Sequence, residues 1–273
     1  MSGYTTAPRA YNDGRIEAII TCWNYSDFLA ETLPWNLPHV DRLVVVTDHN
    51  DEGTQAVCAK WSVECVTTDA FSEKGEAFNK GSGINIGLQA IRQQGWIMQM
   101  DADVVLPVQF RNMLDKVGLQ RDYIYGAERV NVVTFERWHQ LKTQLREEPQ
   151  FTYRYLVTTD PDLPIGANLV HKHYGWCPIG YLQLWHSKYM HENNLRYPDT
   201  EGSAENMDVQ WALRWPRRQR SLMPTVRVFH LESEASPMGA NWSGRKTKPF
   251  TADGQAPITP CVSGQGYGYG YRH

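Results

Sequence analysis

The sequence predicts an α/β protein with a mostly parallel central sheet, helices on both faces and an elaborated second half. Three observations carry this. Short apolar runs of strand length recur at 16–22, 43–47, 63–67 and 96–100. Segments with helical spacing of apolar residues separate them, the alternation that builds a parallel sheet. Each run also ends in polar groups, at Trp23-Asn24, Asp48, Asp69 and Asp101-Ala102-Asp103, and ligands of such sheets bind beyond the carboxyl ends of the strands.

Ile16 to Cys22 is a buried strand, and Ser26 or Asp27 caps a helix reaching about Thr32, with Phe28, Leu29 and Leu33 at helical spacing. Leu43 to Thr47 is the second strand, Asp48 to Gly53 its polar exit, and a short helix over 54–61 leads to the third strand at 63–67. Asn79-Lys80-Gly81-Ser82-Gly83-Ile84-Asn85 opens a helix reaching about Gln94, and Gly95 ends it before the fourth strand. Beyond Pro107 the pattern gives a helix over 109–117, strands at 123–127 and 130–133, and a polar helix over 135–146. The stretch 147–168 is irregular, with a turn at Asp160 to Pro164. A last helix opens at Glu201 to Asp208, and a strand at 225–229 ends in His230. No linker or repeat interrupts the 273 residues, so one domain is expected: halves at about 16–107 and 108–250, then a Gly/Tyr-rich tail at 251–273.

A net charge of −3 and a pI near 6.3 exclude the global basic field most nucleic-acid binders carry, but leave local patches open. The start of the chain has no apolar signal segment and no stretch reaches the length of a membrane span, which sets the expectation of a soluble, cytoplasmic protein. Five scattered cysteines read as buried thiols before a disulfide or zinc framework. Ten tryptophans and fourteen tyrosines supply rings with a polar edge, suited to sugars and bases as well as to a core.

Asp101 and Asp103 stand two apart where a buried strand emerges. If the chain is still extended there they point the same way and suit a hard divalent cation; alone, Asp-x-Asp reads first as a solvated turn. Lys80 beside glycines offers a point charge for phosphate, although neither a Walker loop nor a Gly-x-Gly-x-x-Gly fingerprint is present. In the ring-rich stretch 174–185, Gly180 admits close approach of a ligand and Gln183 offers it a hydrogen bond, or the stretch is simply a packed strand. Glu205 and Asp208 share a helix face, as a base with an acceptor ligand or as ordinary dipole partners. Arg214, Arg217, Arg218 and Arg220, and Arg245 with Lys246 and Lys248, are cation clusters suited to phosphates or to solvent.

In this order the pieces resemble GT-A-fold glycosyltransferases of the family 2 kind, with traits of the polypeptide N-acetylgalactosaminyltransferases. The features are the Thr21-Cys22-Trp23-Asn24 strand end, Asp48, Lys80 to Gly87, Asp101-Ala102-Asp103, and an acidic helix start followed by His230. The resemblance implies a nucleoside-diphosphate sugar donor, a UDP-sugar first, in the N-terminal half. It places Thr21, Trp23, Asn24 and Asp48 at base and ribose, Lys80 and Asn85 near the nucleotide, and Gly180, Gln183 and Arg245 around the donor. Mn2+ or Mg2+ would be held by Asp103 with His230, and Asp101 would hold the ribose or a metal-bound water. One departure is Asn206, which stands where inverting members carry the aspartate base; an amide cannot be a base. Asp208, Glu205 and Asn206 are therefore the candidates on the acceptor side, with the stereochemical course open. A glycan or glycoconjugate hydroxyl is the expected acceptor, and a hydroxymethylated DNA base is the alternative suggested by the arginines. A nucleotidyltransferase and a non-catalytic sugar-binding protein rank below these.

Overall fold

The computed structural model describes residues 14–73, 75, 77–147, 170–171, 175–199, 206–232, 245 and 247–252. Its elements are β1 (Ile16–Thr21), α1 (Ser26–Asn36), β2 (Arg42–Asp48), α2 (Glu52–Trp61), β3 (Glu64–Thr68), α3 (Lys80–Ala90), β4 (Trp96–Asp101), β5 (Val104–Val105), α4 (Phe110–Val117), β6 (Ile124–Val133) and α5 (Phe135–Glu147). There follow β7 (Val170–His171), β8 (Gly175–Trp176), β9 (Leu182–His186), α6 (Ser187–Glu192), α7 (Met207–Ala212) and β10 (Arg220–Glu232). The central sheet has the order β3-β2-β1-β4-β9-β6-β10-β5, and β7 and β8 pair separately. β3, β2, β1 and β4 are parallel; β9 is antiparallel to both β4 and β6, β6 and β10 are parallel, and β5 closes the edge antiparallel to β10.

Strand alternation sends side chains to two cores. Ile16, Ala18 and Ile20 pack with Leu29 and Leu33 of α1, Cys58 of α2 and Leu114 of α4 on one face. Ile19 and Ile97 pack with Ile84 and Leu88 of α3, Met190 of α6 and Trp211 of α7 on the other. A third cluster joins Trp138 and Leu141 of α5 to Phe28, Phe229 and Phe250. Helices thus cover both faces, as the alternation predicts. The four described cysteines are free; Cys22, Cys58 and Cys177 are buried and Cys65 half-buried. No helix among the described residues is long and apolar enough to cross a membrane.

Several boundaries differ from expectation, and α3 stops at Ala90, short of Gln94. α1 runs on through Pro34 to Asn36, because the Asn36 amide bridges Val104 O and Leu106 N at 2.8 Å each and so anchors the last turn. The two strands expected at 123–127 and 130–133 are one, β6. Its polar centre reads as a break in sequence, but Glu128 accepts from Arg227 Nε at 2.5 Å across the register partner on β10. β10 likewise begins five residues early, with a register shift between Met223 and Arg227 that accommodates Pro224, which has no N–H for the ladder. The turn expected at 160–164 lies outside the described residues.

His39, 8% exposed, packs edge-on to Phe110. Burial, with Arg111 nearby, pushes its imidazole down to about 4. A folded-state value below the unfolded one, about 6.5, means the unfolded chain binds the extra proton, so this stability is present above about pH 6.5 and lost as pH falls towards 4. Unfolding free energy is expected to drop by up to about 3 kcal/mol over that window from this group. Denaturant titrations at pH 7 and pH 4.5 should show a shallower drop for His39→Leu.

Candidate active site

The carboxyl edge of the parallel strands gathers the candidate residues. Thr21 closes β1 and is in register with Asp101 at the end of β4 and with Val46 of β2. Its Oγ1 is buried without a hydrogen-bond partner, a group a ligand would satisfy. Trp23, half-buried, stacks on Phe71 at 5.9 Å. Asn24 is exposed at φ 58°, its N–H donating to Asp51 Oδ2 at 2.7 Å. Asp48 ends β2, and its Oδ1 accepts from the backbone and side-chain N–H of Asn50 at 2.9 and 3.2 Å.

Asp51 went unread in the sequence. Its carboxylate accepts from Asn24 N, Thr47 Oγ1, Thr54 N and Thr54 Oγ1, capping α2 while tying the exits of β1 and β2 together.

Asp101 and Asp103 part company. Asp101 Oδ1 accepts from Lys80 Nζ and, at 3.3 Å, from Gln99 Nε2, and Lys80 also donates to Gly180 O at 2.9 Å. Asp103 turns the other way, towards β10, where its carbonyl accepts from Leu231 N at 2.9 Å. Its Oδ1 is shut from solvent without a hydrogen bond, 3.6 Å from His230 Nε2, and His230 Nδ1 lies 3.1 Å from Glu232 Oε1. Burial pushes the Asp103 carboxyl up, only partly offset by His230. Burial opposes the charged imidazolium, but Asp103 and Glu232 outweigh it and hold His230 above its ordinary value.

Among the described residues no group of three or more His, Cys, Asp or Glu is placed to hold a metal. The expected triad of Asp101, Asp103 and His230 is therefore a pair, because Lys80 takes the Asp101 carboxylate. The pair itself fits a divalent cation: a carboxylate oxygen lacking a donor faces an imidazole nitrogen, and substrate phosphates and water ordinarily complete such a shell.

Of the residues expected to meet the acceptor, Asp208 accepts at Oδ2 from Gly180 N at 2.6 Å and at Oδ1 from Val209 N at 2.7 Å. Burial raises its carboxyl, partly offset by Lys80. Asn206 sits at φ 65° at the start of α7 with no side-chain cap, a backbone conformation asparagine tolerates. Glu205 lies outside the described residues. Gly180 is crowded by protein rather than open to a ligand: a Cβ there would stand 3.0 Å from Asp208 Cβ and 3.2 Å from Lys80 Nζ.

Three expected donor contacts are committed elsewhere. Asn85 exchanges hydrogen bonds with the Tyr197 backbone at 2.9 and 3.1 Å, and Gln183, fully buried, donates to Pro178 O and Asp208 O. Arg245 forks onto Asp27 with two 2.7 Å bonds and caps Asn24 O at 2.7 Å, so its guanidinium is engaged by the protein. The run at 214–220 is also elsewhere. Arg220 is in register with Ile124, Ile124 with Trp185, and Trp185 with Ile97, which places it at the edge where β4 begins, opposite Asp101. The DNA alternative rested on that run together with the cations at 245–248.

Residues 17–169, more than half of the chain, match the family described as glycosyl transferase family 2. No curated protein matches. Among solved structures, glucosyl-3-phosphoglycerate synthase from Mycobacterium tuberculosis with Mn2+ and UDP-glucose is 13% identical, with 84% of this chain and 75% of that chain covered at a TM-score of 0.49. The same enzyme with Mn2+, UDP and glucosyl-3-phosphoglycerate is 12% identical, with 84% and 76% covered at 0.47. Mannosyl-3-phosphoglycerate synthase from Rubrobacter xylanophilus is 16% identical, with 84% and 70% covered at 0.45. The mixed sheet with its parallel N-terminal half is the GT-A architecture that the motifs imply, and the chain belongs to glycosyl transferase family 2.

Proposed function

We propose that this glycosyltransferase moves a sugar from a nucleoside-diphosphate donor, a UDP-sugar first, to an acceptor hydroxyl of a glycan or glycoconjugate in a metal-dependent reaction. The observation that carries it is the Asp103–His230 pair, 3.6 Å apart with a donor-less buried oxygen, at the strand edge that also presents Asp101, Lys80 and Asp208. Asp103 and His230 would hold Mn2+ or Mg2+, which offsets the charge gathering on the departing diphosphate. Thr21 lies at the same strand edge, in register with Asp101. Asn50 holds Asp48 Oδ1, which leaves Oδ2 as acceptor for a ribose or base donor. Lys80 holds Asp101 and the Gly180 carbonyl against each other. Asp208 receives the acceptor hydroxyl, and its raised affinity for a proton suits it to take that proton.

Incubation with UDP-glucose and a panel of other nucleotide sugars, with Mn2+ or with chelator, tests this. Metal-dependent release of nucleoside diphosphate is expected from at least one donor. Absence of both release and Mn2+-dependent UDP binding would overturn the reading.

A further inference from the structure

Beneath the site lies a buried polar chain that a packed sheet does not need. Gln99 of β4 and Gln183 of β9 are register partners, each flanked by apolar residues and each fully buried. Gln99 Nε2 donates to Gly180 O at 2.8 Å and to Asp101 Oδ1 at 3.3 Å, and its own Oε1 is left without a partner. Gln183 Nε2 donates to Pro178 O at 2.8 Å and Asp208 O at 3.0 Å, while its Oε1 accepts from Tyr197 OH at 2.9 Å. Gly180 is where the chain converges: its carbonyl accepts from Gln99 and Lys80, and its N–H donates to Asp208 Oδ2. One residue thus ties the carboxylate on the donor side to the carboxylate on the acceptor side.

Stability does not explain these amides. Replacing both partners of a buried hydrogen bond by apolar groups of the same shape is nearly neutral, whereas an unsatisfied polar atom such as Gln99 Oε1 costs free energy. Departures from apolar packing that carry such a cost concentrate where function needs them. We propose that Gln99, Gln183 and Tyr197 are positioning residues: Gln99 holds the Gly180 carbonyl, Gln183 steadied by Tyr197 holds the Asp208 and Pro178 carbonyls, and together they fix Gly180 and the separation of Asp101 from Asp208. This rests on the reading of Asp208 as the group that meets the acceptor. The geometry has little slack, since a misplacement of about 1 Å at a reacting group costs on the order of 100-fold in rate.

The test compares wild type, Gln183→Met, Tyr197→Phe and the double variant. Tyr197→Phe strands only Gln183 Oε1, whereas Gln183→Met also strands the Pro178 and Asp208 carbonyls, so every variant should unfold at lower denaturant and Tyr197→Phe should lose least. Two readouts separate positioning from mere folding. Hydrogen exchange at the Gly180 amide should be faster in the double variant than in wild type, with β1 to β4 unchanged. UDP-glucose hydrolysis with Mn2+ should fall about 100-fold while the dissociation constant for UDP with Mn2+ stays within about twofold. Tyr197→Phe, which removes a single oxygen, gives the same readouts at a smaller loss if the double variant does not fold. Unchanged Gly180 protection, or full activity in variants that have lost stability, would overturn the proposal. A wild type that binds no UDP with Mn2+ sinks the functional reading instead, and the exchange result then still decides the positioning role.

Discussion

Asp103→Ala is expected to abolish Mn2+-dependent binding of UDP and to lower turnover of the donor by about 1000-fold or more, the few kcal/mol that a metal contributes to a developing diphosphate charge. Calorimetry with UDP, with and without Mn2+, reads the first effect directly. The companion expectation concerns stability and runs the other way. Asp103 Oδ1 is shut from water with no hydrogen bond, and burial pushes the carboxyl up, so the fold solvates this carboxyl poorly. Such a group costs roughly 1–3 kcal/mol. Its attraction to His230, at 3.6 Å without a hydrogen bond, offsets only part. Asp103→Asn should therefore unfold at the same denaturant concentration as wild type or a higher one, while losing metal-dependent binding. A residue whose removal leaves stability intact and function lost is held for the site. Asp103→Asn with wild-type UDP binding in Mn2+ would remove the metal role from Asp103. Asp101→Asn, by contrast, frees Lys80 and Gln99 from their shared acceptor, and metal-dependent binding is expected to survive it in part.

The strand exits were legible because a parallel sheet buried on both faces writes itself as apolar runs, and an acid cannot follow such a run unless the chain is leaving the sheet. Thr21, Asp48 and Asp101 are all found at those ends. The pairing of Asp103 with His230 was legible only through resemblance, since it depends on β5 folding back antiparallel onto β10, and no local periodicity encodes that. Side chains that cross the sheet were harder still. Lys80 reads as a phosphate ligand from its neighbouring glycines, yet it reaches Asp101 from the first turn of α3. Gln99 and Gln183 carried a usable signal: each is a lone amide inside an apolar strand, and a buried amide must be answered by partners. Glu128 and Arg129 misled in the opposite sense. Charge in mid-strand reads as a turn, but Glu128 meets Arg227 across the ladder and Arg129 lies 4.8 Å from the centre of the Tyr181 ring.

Asp27→Ala is expected to release the segment at 245–252 from the body of the protein. Arg245 reaches Asp27 across 218 residues of sequence. The Asp27 carboxylate, 2% exposed, accepts two bonds from the guanidinium and a third, at 2.6 Å, from Phe250 N. The guanidinium also lies 4.8 Å from the Tyr25 ring centre, and Phe250 stacks on Phe28 at 4.6 Å. Removing one member of a buried ion pair costs about 3–5 kcal/mol when the other charge is trapped. Arg245 is not trapped, because the strip that carries it can leave for water. The loss should therefore appear as local opening before global unfolding: trypsin should cut after Arg245 at least tenfold faster, with the rest of the chain still resistant. Arg245→Lys should open it partly, since an ammonium keeps the charge without the two-pronged geometry. Detachment also strips Asn24 O of its Arg245 donor, while Asp51 still holds Asn24 N. The loop after β1 is then pinned from one side, so donor affinity should weaken by about tenfold, the loss of one charge-assisted hydrogen bond. Unchanged trypsin resistance in Asp27→Ala would mean that the ring contacts hold the strip by themselves, with Arg245 an accessory to them.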